Sequence, residues 1–310
     1  MILQGIFFLS PMKKNLISAV VVSLVLCSVI VLLNPPPVLG WGFWAHREIN
    51  KMAIASLPNP LRQFFEFHAD SIIARSVEPD LRRRWDKQEG FTHYIDIDRY
   101  GKYPFKELPH SYDLAVKKFG KGFVDSNGTV PWRIVEFTKG LTKAFQDRDT
   151  AAIVYYASNL GHYVADAHVP LHTTENYDGQ MTDQKGVHWR WESGIPERYG
   201  STFHLVPQHA EFLADPLGAA FDAVLESFER VDSVLSLDRE ALEQTPEKDR
   251  YVQKTVRGRV VSEYSDEYFR RYDRLLNGMV ERQLNESVNA VASYWYTAWV
   301  NAGKPDLMKQ

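Results

Sequence analysis

Cysteine is almost missing from this chain: Cys27 is the only one among 310 residues. It lies in the apolar stretch 16–33, after Leu26, which is too large for the residue that precedes a lipoprotein cysteine. The chain from Trp41 onwards therefore has no thiol, which excludes disulfides, thiolate metal sites and a cysteine nucleophile there. Any metal bound by this part of the chain must have nitrogen and oxygen ligands.

The amino-terminal forty residues do not resemble part of a folded domain. A short basic start, Lys13 and Lys14, precedes the uncharged apolar stretch 16–33, and prolines at 35–37 then break any helix. This order is typical of a secretory signal, and we expect cleavage before Trp41 and export to the periplasm or the medium. The alternative is an uncleaved anchor that tethers the protein to a membrane, because 18 apolar residues lie at the lower limit of a spanning helix.

The charge balance excludes a strongly basic, polyanion-attracting protein. Removal of 1–40 takes away two lysines and no acidic residue, so the formal charge changes from −3 to −5. Such a chain has no long-range attraction for DNA, although a bound metal can still dominate the local field. Residues 41–310 contain no internal repeat or linker and are predicted to form one domain.

Apolar periodicity predicts an all-α fold. Helical patterns cover the ranges 49–57, 134–145, 151–167, 217–235 and 260–300. The only strand signal is a weak alternation over 91–97, and ordered loops are predicted at 98–112 and 173–187.

The densest chemical feature is a pair of side chains in the third of these helices. His162 and Asp166 are four residues apart and share one helix face, so an imidazole and a carboxylate can hold one cation. Pro170 ends the helix, and His172 follows in a segment predicted to be extended. His168 is two residues past Asp166, points elsewhere, and is interpreted as structural.

A second pair repeats this spacing. His188 and Glu192 are also four residues apart. Alone, such a pair is more often a surface hydrogen bond than a ligand set. Three histidines and two carboxylates within about thirty residues nevertheless favour a site for a borderline cation such as zinc.

Two further residues upstream, an aspartate and a histidine, are weak evidence for a metal site by themselves. Asp80 precedes an arginine run that includes Arg82 and Arg83, and His93 follows in a short aromatic segment. An arginine run is usually a solvated face, but beside a metal site Arg82 or Arg83 could bind a phosphate through two hydrogen bonds.

With these residues in place, the whole chain from Trp41 resembles the superfamily of zinc-dependent phospholipase C and S1/P1-type nuclease enzymes. The start Trp41-Gly42-Phe43-Trp44-Ala45-His46 is similar to the processed start of that family. The resemblance implies an all-α, single-domain, multi-helix bundle of the phospholipase C/P1 nuclease type. It also implies a trinuclear zinc site.

The resemblance assigns the three zinc ions as follows. The first takes the free amine and carbonyl of Trp41, with His46, and shares Asp166. The second takes Asp80, His93, His162 and the bridging Asp166. The third takes His172, His188 and Glu192. Because the amine of Trp41 is freed only by cleavage, signal removal and completion of the site are expected to be one event.

Some sequence features resemble the nuclease branch of the superfamily, and others resemble the phospholipase branch. Trp41-Gly42 resembles the nucleases, whereas Glu192 and the segment 101–105 resemble the phospholipases, and Ala165 and Val169 depart from the common motif.

The leading expectation is an exported, zinc-dependent phosphodiesterase of the phospholipase C type, a hydrolase in which Asp80 orients or deprotonates the attacking water. The alternatives are a nuclease for single-stranded DNA or RNA and a non-catalytic zinc-binding protein. Phospholipid or single-stranded nucleic acid is the expected substrate; transient membrane-surface contact is possible, and no protein partner is implied.

Overall fold

A computed structural model describes residues 41–256 and 258–308. The structure is 65% helix and 4% strand, which confirms the mainly helical class. The predicted signal segment, 1–40, lies outside the described residues. Within the described part of the chain, none of the helices has the length and apolar character needed to cross a bilayer.

Helices follow one another along the chain with one small hairpin near the end. The α-helices are α1 (Phe43–Ala55), α2 (Leu61–Phe67), α3 (Ala69–Arg75), α4 (Glu78–Arg82), α5 (Tyr112–Phe119), α6 (Lys121–Ser126), α7 (Val130–Asp147), α8 (Thr150–Asp166), α9 (Val187–Trp189), α10 (Ile195–Tyr199), α11 (Pro216–Phe228), α12 (Val231–Gln244), α13 (Asp266–Leu276) and α14 (Met279–Asn301). The 3-10 turns are Glu89–Thr92, Ile97–Tyr100, Pro170–His172, Gly200–Thr202 and Glu247–Asp249, and Arg190–Gly194 is a π-helical turn. The antiparallel strands are β1 (Tyr251–Val256) and β2 (Arg259–Tyr264).

Two sequence predictions are wrong in this architecture. The range 260–300 is not one helical region, because its start forms β2, and the helices after it are separated at Asn277 and Gly278. Both of these residues have positive φ, 47° and 75°, which ends α13 and begins α14. The alternation over 91–97 is not a strand either, because the turn Glu89–Thr92 leads directly into the site.

The central helix is α8, which is buried on every side along its carboxy-terminal half. Its amino terminus is capped by Asp149, whose carboxylate accepts a hydrogen bond from the Ala152 amide at 3.0 Å. All residues from Ala157 to Asp166 are buried, including the polar side chains of Ser158, Asn159, His162 and Asp166. The prediction over 151–167 is confirmed to within a residue at each end.

Close packing of α1 against α8 depends on Gly161. A Cβ atom at this position would lie 2.3 Å from Oδ1 of Asn50, so only glycine lets the two helices approach this closely. The contact matters for the site because it sets the distance between His46 on α1 and His162 on α8. The long helix α14 covers the same layer, where the Trp295 indole donates to the Ala157 carbonyl at 2.9 Å.

A buried ion pair fixes the segment that carries His188 and Glu192. The Arg190 guanidinium donates from Nε and Nη2 to the two oxygens of Asp238 on α12, at 2.9 and 3.0 Å. The Tyr264 ring lies 4.4 Å from the guanidinium carbon, and Gln184 donates to Asp238 at 2.8 Å. Arg190 and Asp238 are each only 2% exposed, so the pair ties the π-helical turn to the helical body.

Replacement of Asp238 by alanine is expected to lower the free energy of unfolding by about 3–5 kcal/mol, because it leaves the Arg190 charge buried and unpaired. Urea unfolding followed by circular dichroism measures this change. Glu243→Ala is the matched control, since Glu243 is exposed on the same helix, and it should change stability by no more than about 0.5 kcal/mol. Similar small effects of both variants would contradict this role of the ion pair.

Candidate metal centre

Helix α8 and helix α1 bring the first imidazoles together. The rings of His46 and His162 stack with centroids 3.8 Å apart and planes inclined by 16°. Nδ1 of His162 lies 2.8 Å from the Ser76 carbonyl oxygen, which fixes the ring and turns Nε2 toward Asp166. The ligand-like orientation of His162 is therefore set by a main-chain group at the end of α3.

The Asp166 carboxylate is the centre of the arrangement. Its Oδ2 lies 2.9 Å from Nδ1 of His93 and 3.2 Å from Nε2 of His162. Its Oδ1 lies 3.5 Å from Nε2 of His46 and 3.8 Å from Nδ1 of His172. The two oxygens thus face different sets of imidazoles, which is the geometry required of a carboxylate that bridges two cations.

Asp80 completes the part of the cluster around His162. It lies on α4, and its Oδ1 is 3.9 Å from Nδ1 of His93 and 4.0 Å from Nε2 of His162. The short helix also places Arg83 beside it, with Nη1 3.5 Å from the same oxygen. The structure groups potential ligands as His46, Asp80 and His162, and as His93, His162 and Asp166, so it places Asp80 with His46, although the resemblance assigns these two residues to different ions.

The third group lies on the other side of Asp166. Nε2 of His188 and Nε2 of His172 lie 2.9 and 3.5 Å from Oε2 of Glu192. His172 is held by the 3-10 turn that follows Pro170, not by the predicted extended segment, and its Nδ1 lies 2.8 Å from the His93 carbonyl oxygen. The chain widens into a π-helical turn at Arg190, a local irregularity that is frequent at functional sites.

These separations match those between ligands of one tetrahedral ion. With ligand bonds of about 2.0–2.1 Å, two ligand atoms of a zinc ion lie roughly 3.3 Å apart. The pairs around Asp166 and Glu192 span 2.9 to 3.5 Å at their closest contacts. The buried groups can therefore hold metal ions with little rearrangement.

The hydrogen-bond pattern also indicates a cation. Many side-chain atoms of this cluster are buried and have no hydrogen-bond partner, although buried polar groups are normally paired. The atoms concerned are both ring nitrogens of His46 and His188, Nε2 of His93 and of His172, Oδ1 of Asp166, and both oxygens of Asp80 and Glu192. A bound metal ion would satisfy most of them.

Burial determines the protonation of the cluster. It lowers the pKa of His93 to about 3 and that of His188 to about 4, so these rings are neutral, the form that binds metal. Burial raises the pKa of Asp80 to about 7 and that of Glu192 to about 8. Burial acts in the same direction on Asp166, but the charge and hydrogen bond of His162 outweigh it and hold its pKa well below the usual range.

Trp41 is placed beside this cluster. Its side chain is fully buried, the indole donates to the Ala165 carbonyl at 2.9 Å, and its ring lies 5.0 Å from that of Trp191. The next residue, Gly42, donates its amide to the Glu192 carbonyl at 3.3 Å. The first described residue is therefore anchored next to both Asp166 and Glu192, and metal binding by its amine stays a prediction that requires cleavage before Trp41.

The two arginines predicted to bind phosphate have different environments. Arg83 lines the pocket at the cluster and contacts Asp80. Arg82 instead donates from Nη2 to Glu89 and to the Tyr163 hydroxyl, both at 3.0 Å, behind the His93 ring. Arg83 is therefore the arginine that can meet a phosphate at the metal cluster, and Arg82 belongs to a buried network.

A pocket of about 230 Å³ opens onto this cluster. Its metal-facing wall contains His93, His172 and His188, and its other lining residues are Arg83, Gly90, Phe91, Tyr94, Asp96, Leu171 and Tyr177. The outer part thus combines three aromatic rings with one carboxylate. Burial, together with Asp98 and Glu175, raises the pKa of Asp96 to about 7.

The sequence analysis did not identify Glu89, Phe91, Asp96 or Tyr177 as part of the site. Glu89 precedes His93 by four residues, the same separation as in the two recognised pairs, so a signal was present in the spacing. Asp96, three residues after His93, also lines the pocket. His168 is buried, with Nδ1 2.7 Å from the Val164 carbonyl oxygen and a pKa lowered by burial to about 4, and it lines a separate cavity.

Comparison with protein-family models and with curated proteins found no match for this chain.

Removal of metal by a chelator is expected to lower the melting temperature by roughly 10 °C, because a tightly bound ion adds about 4 kcal/mol to the stability of the native state. Differential scanning calorimetry before and after dialysis against the chelator measures the change. Added zinc should restore the original transition and added magnesium should not. An unchanged melting temperature would contradict a metal centre in the native protein.

Replacement of Asp96 by asparagine is expected to stabilise the protein only at neutral and alkaline pH. A carboxyl whose pKa is raised on folding destabilises the native state progressively as pH rises from about 4 to about 7. Asp96→Asn removes this penalty and should add about 1–3 kcal/mol at pH 8, after allowance for solvent screening, and nothing at pH 3.5. Urea unfolding at the two pH values measures the difference.

Asp98→Asn is the matched control, because the Asp98 carboxylate accepts hydrogen bonds from the Thr174 hydroxyl at 2.6 Å and the Glu175 amide at 3.0 Å. This variant should be less stable than the parent at pH 8. If both variants shift stability in the same direction at pH 8, the assigned environment of Asp96 is wrong.

Proposed function

We propose that the chain is an exported, zinc-dependent phosphoric-diester hydrolase of the phospholipase C type, with three zinc ions bound by the nine residues from Trp41 to Glu192 assigned above. The observation that carries this proposal is the buried set of imidazoles and carboxylates around Asp166, whose atoms lie at ligand-to-ligand distances and many of which have no hydrogen-bond partner. Nitrogen and oxygen ligands without thiolates suit zinc in a catalytic role. The resemblance to the phospholipase C and S1/P1 nuclease superfamily supplies the reaction class.

The accessibility of the cluster supports catalysis over a purely structural metal. A structural zinc site closes its coordination with four protein ligands, whereas a catalytic site leaves a position open. The third ion has only three assigned protein ligands, His172, His188 and Glu192, and both of these histidines line the pocket together with His93. A substrate entering the pocket therefore arrives directly at the metal-binding atoms.

Within this site the residues of the chain have distinct tasks. When bound, zinc neutralises phosphoryl oxygens and makes a water molecule more acidic. Asp80 lies between the upstream ligand groups and at the pocket-facing Arg83, where its carboxylate can orient the attacking water and accept its proton. Arg83 can donate hydrogen bonds to a phosphoryl oxygen.

The outer pocket favours a phospholipid with a cationic head group. Aromatic faces attract an ammonium group, and Asp96 adds a carboxylate to the same wall. A polynucleotide would bring further phosphates toward this carboxylate, which opposes binding. The three rings Phe91, Tyr94 and Tyr177 are also what a nuclease uses to stack unpaired bases, so single-stranded nucleic acid remains the second candidate substrate.

The proposal is tested with the processed chain, after amino-terminal sequencing and metal analysis. We expect a start at Trp41, about three zinc ions per chain, and release of the phosphorylated head group from phosphatidylcholine. Single-stranded DNA and RNA are assayed in parallel. Hydrolysis of the nucleic acids alone would establish the nuclease instead, and zinc without hydrolysis of any ester would establish a binding protein.

Asp80→Asn should lower turnover by roughly 10²–10⁴-fold, because it removes the proton acceptor, while most of the zinc stays bound. Initial rates at saturating substrate, with metal analysis of the same sample, measure both quantities. Asp86→Asn is the control, since Asp86 is exposed in the same segment and should leave the rate unchanged. Equal rates for Asp80→Asn and the parent would remove Asp80 from the mechanism.

A further inference from the structure

Glu89 is a buried carboxylate behind the metal cluster. Its side chain is only 3% exposed, and it begins the 3-10 turn Glu89–Thr92 that leads into His93. Oε1 accepts hydrogen bonds from Nη2 of Arg82 at 3.0 Å and from the Tyr163 hydroxyl. Oε2 lies 3.5 Å from Nη2 of Arg133. Two cations and a phenol therefore hold one carboxylate in a single orientation.

The same carboxylate faces the outer edge of the His93 ring. Nδ1 of His93 converges with His162 and Asp166 at 3.1 and 2.9 Å, so this nitrogen points into the cluster. Nε2, on the opposite side, lies 3.8 Å from Oε1 of Glu89 and has no hydrogen-bond partner. The imidazole is thus placed between the Asp166 carboxylate on one side and the Glu89 carboxylate on the other.

This arrangement allows Glu89 to do more than neutralise the charges of Arg82 and Arg133. An imidazole that binds metal through one nitrogen carries its proton on the other, and a carboxylate at that proton fixes the tautomer and raises the basicity of the ligand. Arg82 and Arg133 restrain the carboxylate from turning inward. His162 and His172 receive the equivalent support from the carbonyls of Ser76 and His93, so His93 alone among these three has a charged support.

We propose that Glu89 is a positioning residue for His93: its charge, 3.8 Å from Nε2, favours the tautomer that carries the proton on this nitrogen and leaves Nδ1 free to bind the ion shared with His162 and Asp166. The inference rests on the proposed metal centre. It extends the site to a network of Glu89, Tyr163, Arg82 and Arg133, in which Arg82 acts through Glu89 and not on the substrate.

The test is zinc binding measured by competition with a chromophoric chelator, on the parent protein and on Glu89→Gln. The variant keeps the shape but loses the charge, and one zinc equivalent should weaken about 10-fold while the other two keep the parent affinity. Glu136→Gln is the matched control: Glu136 also pairs with Arg133, at 3.0 Å, but is 66% exposed and does not contact His93. It should bind all equivalents as the parent does.

A second readout follows the ring nitrogens directly. In long-range ¹H–¹⁵N spectra of histidine-labelled, zinc-loaded protein, the parent should show His93 protonated at Nε2, and this signal should shift in Glu89→Gln. Tyr163→Phe provides a milder variant in case Glu89→Gln does not fold, because it removes one hydrogen bond to Glu89; it should weaken the same equivalent about fivefold.

The outcomes separate this inference from the proposed function. A parent that binds no zinc overturns both. A parent that binds zinc, with parent-like affinities and an unchanged His93 signal in Glu89→Gln and Tyr163→Phe, overturns only the role of Glu89. Equal weakening of all zinc equivalents, together with a lower melting temperature, would make Glu89 a structural residue and also overturn it.

Discussion

The arrangement of the site depends on the carboxylate of Asp166, which is buried at a position where a negative charge is unfavourable. Asp166 is the last residue of α8, where the helix dipole already presents negative charge, and it is completely buried. Asp80 and Glu192 add two further buried carboxyl groups nearby. Imidazoles contact both oxygens of Asp166. The fold around α8 therefore brings together buried imidazoles and carboxylates that could hold metal ions.

Main-chain carbonyls, close helix packing and a buried ion pair position several side chains of this cluster. The carbonyls of Ser76 and His93 hold His162 and His172, and Gly161 allows α1 to bring His46 against His162. The Arg190–Asp238 pair fixes the turn on which Glu192 lies. Because these supports are main-chain groups and buried ion pairs, the ligands lose little conformational freedom when an ion binds, which favours tight and specific metal binding.

The sequence predicts the parts of this site that are local. Four-residue spacing identifies His162 with Asp166 and His188 with Glu192, because a helix places such residues on one face whatever its surroundings. The contact of His46 with His162 and the position of Asp80 depend on how helices pack, and neither follows from spacing. The start of the range 260–300 was predicted as helix because its apolar residues do not distinguish a helix from a strand. Val260 and Val261 fit either structure, and the turn at Gly258 determines that they form β2.

Residues within and just after the short helix α4 lie on opposite sides of the His93 ring. Within and just after α4, Asp80 and Arg83 face the cluster and the pocket, while Arg82 faces Glu89. Positive charge is thereby divided between the pocket side of His93 and the side that faces Glu89. An arginine run of this kind has no amphipathic pattern that distinguishes its members, so only the three-dimensional arrangement separates Arg82 from Arg83.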